Sequence, residues 1–324
     1  MFNRRFLREK TIQAYYGFVQ GGSESATACR QNMLAGLDRT AELYYMQCFL
    51  LVGLAEQAED RYRRARERGV QSEKELESVR RMAGNRVVAA IGQDVNYLLK
   101  SEAYRLNGMT GMKDLVLSVY DSLFVKKDGA SVADKVWQAV SDNDTSADEF
   151  EQDRAFLRKL YKRKISTHPV LRSFCEERSI FWESDYEAVT FWVYSLLGQI
   201  SPERNNNVDE GWTAQDEAVA FGITLLDKTL LHKDEYNAYI AERLQNWKHE
   251  RIGTLEKVLL CVAVSEFINF PSIPVKVTLN EYIELSKRFC AQESPLFVNG
   301  VLHKIAQDLK TDKKMKKSGR GLIG

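Results

Sequence analysis

Apolar residues recur at helical spacing along most of this chain. Asn3 to Gln20 (NRRFLREKTIQAYYGFVQ) carries Ile12, Tyr15, Tyr16 and Val19 at i, i+3, i+4 and i+7, which predicts an amphipathic helix. Asn32 to Glu67 reads as a long helix with Leu43, Met46, Leu50 and Leu54 on one side. Further helices are predicted over Glu73–Leu99, Gly111–Phe124, Glu149–Lys164, Pro169–Phe181, Asp185–Leu197 and Asp216–His232, with Asp185 as an N-cap and the Phe191-Trp192 pair in the core.

Two more helices close the pattern. Thr278 and Glu281 have capping-box spacing, and Leu279, Tyr282, Ile283, Ser286 and Cys290 then form one mostly apolar stripe that turns Lys287 and Arg288 away from its centre. Ser294 followed by Pro295 marks a second start, because proline at the first helical position gives up an N–H that has no partner there anyway. Its stripe is Val298, Val301, Leu302, Ile305 and Leu309, with Phe297 at the edge of that face, in a first turn whose N–H groups and dipole favour a phosphate. Gly300 inside this helix costs about 1 kcal/mol relative to alanine, which leaves helix packing or a close approach to the backbone as its reason.

No proline occurs before Pro169, and all five prolines fall where a helix breaks. Sustained Val/Ile/Thr alternation is missing, so the fold class is all-α. Lys126-Lys127-Asp128-Gly129 reads as a turn, and the polar stretches 141–148 and 202–209 read as linkers. The lysine-rich end, 311–324, lacks apolar periodicity and is expected to be a disordered basic tail.

Charge and chemistry narrow the function. The 324 residues carry a net charge of +1, so any nucleic-acid binding must come from local patches. Arg4, Arg5 and Arg8 crowd the first turns of the first helix, where cations oppose the macrodipole; a solvated face or a phosphate-binding surface, with Phe2 and Phe6 interleaved, both account for them. The run Arg61 to Arg68 leaves the same two readings open. Five scattered cysteines without a C-x-x-C pair support neither a disulfide framework nor a zinc site. The start of the chain lacks the apolar core of a secretory signal and the longest apolar run is too short to span a bilayer, so a cytoplasmic protein is expected. No nucleotide-binding glycine motif, metal-spaced histidines or acid–base pair stands out, which points to a non-enzyme without cofactor or metal.

The two ends resemble the NusB family of transcription antitermination factors. The family's first helix, an arginine cluster followed by Arg-Glu and Gln-Ala-Leu-Tyr, is matched by Arg4, Arg5, Arg8, Glu9, Gln13, Ala14, Tyr15 and Tyr16. Its last helices are matched by Asn280, Glu281, Glu284, Lys287 and Phe289, then Ser294, Phe297, Val298, Asn299, Gly300, Val301, Leu302, His303 and Lys304, with His303 in place of the usual aspartate. Asn246-Trp247, Arg251 and Leu255-Glu256-Lys257 also look like family signature. The resemblance covers roughly 1–20 and 215–310. It implies a NusB-like first helix (1–20), a large helical insert (21–207) with a sub-break near 141–148, and a NusB-like C-terminal bundle (208–310).

By resemblance, such a protein pairs with NusE, a ribosomal small-subunit protein, binds single-stranded boxA-type RNA, and keeps the RNA polymerase elongation complex processive on ribosomal RNA operons. Arg4, Arg5, Arg8, Phe289, Glu293 and Phe297 match the family's RNA-contacting positions, and Tyr16 and Glu256 match positions tied to NusE docking. Two other classes remain: a protein-only interaction module of the transcription or ribosome machinery, and the substrate-binding part of a ribosomal RNA methyltransferase, which would need a catalytic domain.

Overall fold

The computed structural model describes residues 2–22, 25–69, 72–126, 129–142, 148–202, 208, 215–244 and 252–322. Among them every regular element is helical. They are α1 (Arg4–Gln20), α2 (Ala26–Arg68), α3 (Glu77–Ala83), α4 (Arg86–Gln93), α5 (Val95–Ala103), α6 (Met112–Phe124), α7 (Val132–Ser141) and α8 (Glu149–Leu160). Then follow α9 (Pro169–Arg178), α10 (Ile180–Gln199), α11 (Gln215–Leu231), α12 (Lys233–Arg243), α13 (Thr254–Asn269), α14 (Val275–Phe289) and α15 (Ser294–Thr311). Asn246, Trp247 and Arg251, most of both expected linkers, and Lys127 and Asp128 of the expected turn lie outside the described residues.

The chain divides into two compact units, 1–37 with 211–324, and 38–210. The first unit thus takes in the opening turns of α2 as well as α1. Cys29 donates to Ala14 O at 3.4 Å and Arg30 pairs with Asp227, which ties these turns to α1 and α11.

In the first unit α13 is the centre. Ten consecutive residues, Val258 to Phe267, are buried. A helix apolar on all sides must be covered on all sides, and α11, α1, α12, α14 and α15 pack around it. The stripe Val298, Val301, Leu302, Ile305 and Leu309 of α15 is buried, as expected, and so are Ile12 and Tyr15 of α1. Val19 is exposed, so the apolar face of α1 ends a turn early.

The end of the chain differs from the expected disordered tail. After α15, Lys314 and Met315 donate their N–H groups to Leu309 O, Ser318 N–H donates to Pro271 O at 3.0 Å, and Lys317 Nζ reaches Phe270 O at 3.1 Å. Gly319 takes φ +53°, and Gly321 is buried where a Cβ would run into Pro271 O. Backbone hydrogen bonds and two glycines hold this segment, and neither leaves apolar periodicity behind.

In the second unit the remainder of α2 buries Leu43, Tyr44, Met46, Leu50, Leu51 and Leu54. Thr40 donates to Asp185, Tyr161 to Gln47, and Trp182 Nε1 to Arg39 O at 2.9 Å. Asp185 is therefore a buried acceptor inside α10 rather than its cap; Ser179 caps that helix. The single helix expected over Glu73–Leu99 is broken because Asn85 and Asp94 each accept backbone N–H groups two or three residues on and start new helices.

Gly321→Val is expected to release the segment 314–322 while leaving the rest of the unit folded. Limited trypsin digestion should then cut at Lys316 and Lys317 several-fold faster than in the parent, with little change in the thermal midpoint.

Candidate nucleic-acid interface

Asn3 starts α1: its Oδ1 accepts from Phe6 N–H at 2.9 Å, and the turn that follows holds Arg4 and Arg5 and no acid. Arg4 is exposed, its guanidinium carbon 5.4 Å from the centre of the Phe221 ring. The Arg5 side chain is 51% exposed, and its Nε and Nη2 grip the two oxygens of Glu281 at 2.8 Å each.

Arg8 stands behind these two and is held differently. It is 3% exposed, and its Nε and Nη2 donate to Glu266 Oε2 and Oε1 at 2.7 and 2.8 Å. Thr278 Oγ1 at 2.9 Å and Tyr282 OH at 3.2 Å donate to the same carboxylate. Burial works to lower the Arg8 pKa, but the bond to Glu266 and its charge more than offset that, and the pKa is raised. The Arg8 guanidinium, expected to meet RNA phosphates, is committed inside the unit to Glu266.

The capping box expected at Thr278 and Glu281 is corrected. α14 begins earlier, after Pro274; Thr278 lies inside the helix bonded to Glu266, and Glu281 faces Arg5 and Arg8. The Arg5 bond, followed by burial working the other way and the Arg8 and Arg5 charges, leaves the Glu281 carboxyl below its usual range. Phe2 and Phe6 are buried and stacked on each other, centroids 5.3 Å apart, so they cannot offer faces to bases.

What remains open is a cleft of about 630 Å³ lined by Asn3, Arg4, Arg5, Arg8, Ser272, Ile273, Pro274, Val277, Glu281 and Arg320. Arg320 is exposed and arrives on the turn held by Gly319 and Gly321. From the cleft a charged seam follows α1 and α14: Arg5 with Glu281, then Arg288 with Glu9 at 2.8 Å. It ends at Phe289, a half-buried ring 5.6 Å from the Arg288 guanidinium.

At the start of α15, Glu293 is exposed in the N-cap position and Phe297 is half-buried. Ser294 Oγ donates to Glu256 Oε1 at 2.7 Å, fastening this turn to the first turn of α13, whose N-cap is Gly253. Burial, then the Glu256 charge, pushes the Cys290 thiol up to about 12. Tyr16, half-buried on α1, accepts from Gln20 Nε2 at 2.9 Å. A groove of about 290 Å³ runs between Tyr15 and Val19 of α1 and Thr254 and Lys257 of α13, within a turn of Tyr16 and Glu256 in sequence. No helix is long and apolar enough to cross a membrane, and no group of three or more His, Cys, Asp or Glu among the described residues could hold a metal ion.

Sequence reasoning missed Arg288, Glu9 and Arg320 as parts of the site. Arg8 carried a signal that went unused: it stands four residues before Ile12 and seven before Tyr15, on the buried stripe. Glu266, a lone acid at the end of an apolar run, called for a cation. Nothing in the sequence marks Arg320, because the bonds that place it are made by backbone atoms.

The family model described as the NusB family matches residues 187–307. The transcription antitermination protein NusB of Dictyoglomus turgidum is 41% identical over 96 residues, which is 30% of this chain and 67% of that protein. That of Salinibacter ruber is 38% identical over 104 residues, 32% of this chain and 65% of the relative. That of Dictyoglomus thermophilum is 39% identical over 97 residues, 30% and 67%. The matched segments thus span about two thirds of these relatives and under a third of this chain. No solved structure matches.

Removing Arg8 leaves Glu266 charged and buried without its partner, so Arg8→Ala should destabilise the unit by about 3–5 kcal/mol in urea unfolding. Glu281→Gln tests the outer pair. Its lowered folded pKa contributes stability above the unfolded value of about 4.3, lost as pH falls through the folded pKa. The variant should be less stable than the parent by roughly 1 kcal/mol at pH 7, since Arg5 is half open to water, and the gap should close below about pH 4.

Proposed function

The chain belongs to the NusB family, and from that premise we propose that it is a transcription antitermination factor. It binds single-stranded, boxA-type RNA together with NusE and promotes processive transcription of ribosomal RNA operons by the elongating polymerase. The relatives it resembles are named transcription antitermination proteins, which supports the first part of this reading.

The observation that carries the reading is the cleft at the start of α1. In a chain with a net charge of +1, three exposed arginines from opposite ends of the sequence, Arg4, Arg5 and Arg320, converge there beside Ile273, Pro274 and Val277, with the buried Arg8 behind them. Guanidinium groups suit phosphate oxygens, and apolar walls suit the edges and faces of unpaired bases. The seam through Arg288 leads on to Phe289, and Glu293 and Phe297 continue the surface on α15. Glu293 carries no positive charge for a phosphate; its carboxylate accepts from base amino groups. Tyr16 and Glu256 form the NusE-facing patch, on the elements that bound the smaller groove.

With Arg8 internal, the phosphate contacts of the first helix fall to Arg4 and Arg5, beside Arg320. Arg4→Ala/Arg5→Ala should weaken binding to all single strands alike and reduce the salt slope by up to about 1.4, at about 0.7 per lost phosphate contact. Phe289→Ala or Phe297→Ala should cost roughly 1–3 kcal/mol with the slope unchanged, because no charge is removed. Titration of labelled boxA-type RNA at several salt concentrations reads both. An unchanged slope in the arginine variant moves the protein to the protein-only class.

For the partner, Glu256→Lys should abolish most NusE binding. Ser294→Ala removes only the internal bond to Glu256 and should leave it intact; equal loss in both variants would make the effect structural and remove Glu256 from the interface.

A further inference from the structure

The second unit contains a run that its sequence does not balance. From residue 154 to 175 there are seven lysines and arginines and no acid. Most of that charge lies at one place, where α8 gives way to a π-turn over Tyr161–Ile165.

The turn changes which residues face outward. Leu157, Leu160 and Tyr161 are buried, and a continuing α-helix would bring Lys164, seven, four and three residues later, onto the same buried face. Instead Ser166 N–H bonds to Tyr161 O, five residues back, at 2.9 Å. The extra residue passes the buried position on to Ile165 and leaves Lys162, Arg163 and Lys164 all exposed. Such π-bulges cost helix geometry and occur frequently at functional sites.

The surroundings confirm a built surface rather than a charge run in passing. Among the described residues no carboxylate pairs with Arg158, Lys162, Arg163 or Lys164. The Arg158 guanidinium carbon lies 4.3 Å from the centre of the Tyr194 ring, and Lys162 Nζ lies 5.4 Å from it. On α10, Gly198 leaves room for that guanidinium: a Cβ there would come within 3.1 Å of its carbon. Arg158 Nε is buried with no hydrogen-bond partner. Phe191, one turn before Tyr194, is 65% exposed although its sequence reads as core. An exposed ring one helical turn from Tyr194, the ring that Arg158 and Lys162 flank, brings together what single strands require: cations for phosphates and a ring for a base.

We propose that Arg158, Lys162, Arg163, Lys164 and Phe191 form a second binding site for single-stranded RNA, separate from the cleft of α1. The proposal rests on the reading of the chain as a single-strand binder, and stoichiometry distinguishes the two. Titrated at low salt with a labelled ten-nucleotide poly-uridine strand, the full chain should take up two strands. Lys162→Ala/Arg163→Ala/Lys164→Ala should take up one, and Arg4→Ala/Arg5→Ala should also take up one, each with unchanged circular dichroism. For the site on the second unit, measured in the α1 variant, Phe191→Ala should weaken the remaining strand at least about fivefold.

A parent that takes up one strand, kept by the triple variant and lost in the α1 variant, overturns the second site and leaves the proposed function standing. One strand lost only in the triple variant overturns the α1 site and supports this one. No uptake overturns both. If the triple variant keeps its RNA but loses binding to poly-glutamate, the surface serves an acidic protein and the RNA site is wrong.

Discussion

A single buried carboxylate organises the first unit. Glu266 sits in α13 with no exposed side-chain surface, in the helix that every neighbour covers. An ionised carboxylate offers about four acceptor positions, and here four donors fill them: two from Arg8, one from Thr278 and one from Tyr282. The requirement to neutralise and saturate this group fixes α1 and α14 against the same point of α13. It also settles which arginine of the first helix is structural and which two are left for other work. Arg4 and Arg5 can stand at the mouth of a cleft because Arg8, one turn on, anchors the helix that carries them.

The all-α class was legible because it depends on local features, the absence of proline before Pro169 and apolar spacing such as the Val298 to Leu309 stripe. The site was legible only in part. Thr278 and Glu281 satisfy the spacing of a cap, but the same spacing inside a helix puts two side chains on one face. What decides between the two is Arg5, 276 residues away from Glu281. Phe2 and Phe6 look like an exposed pair beside arginines until a partner surface is known to cover them. Phe191 fails in the opposite direction, since an aromatic residue in an apolar helix reads as core whichever way it faces. In each case the local pattern is right and the missing fact is a contact of long sequence separation.

The two units handle positive charge differently. In the first, Arg5, Arg8, Arg30, Arg243 and Arg288 each have a carboxylate partner, so the cleft's potential comes from few groups. In the second, Arg80, Arg81, Arg154 and Arg172 are paired in the same manner, but among the described residues Arg158, Lys162, Arg163 and Lys164 are not. A near-neutral chain can therefore carry a strong local field, because neutrality is reached by pairing elsewhere rather than by mixing signs evenly along the surface.

The first unit is made of two separated pieces of chain, and Arg8 and Glu266 stand 258 residues apart. At synthesis rates of roughly 5–20 residues per second, about 13–50 s pass between the appearance of the arginine and that of its carboxylate. During that interval the second unit emerges whole and is free to fold first. The opening helix waits with an apolar face and an unpaired cation on the same side, and it finds a seat only when α13 arrives. It leaves the ribosome before the second unit and is seated only after that unit has emerged, so any nascent-chain factor that recognises a cationic, half-apolar helix has its opportunity within that window.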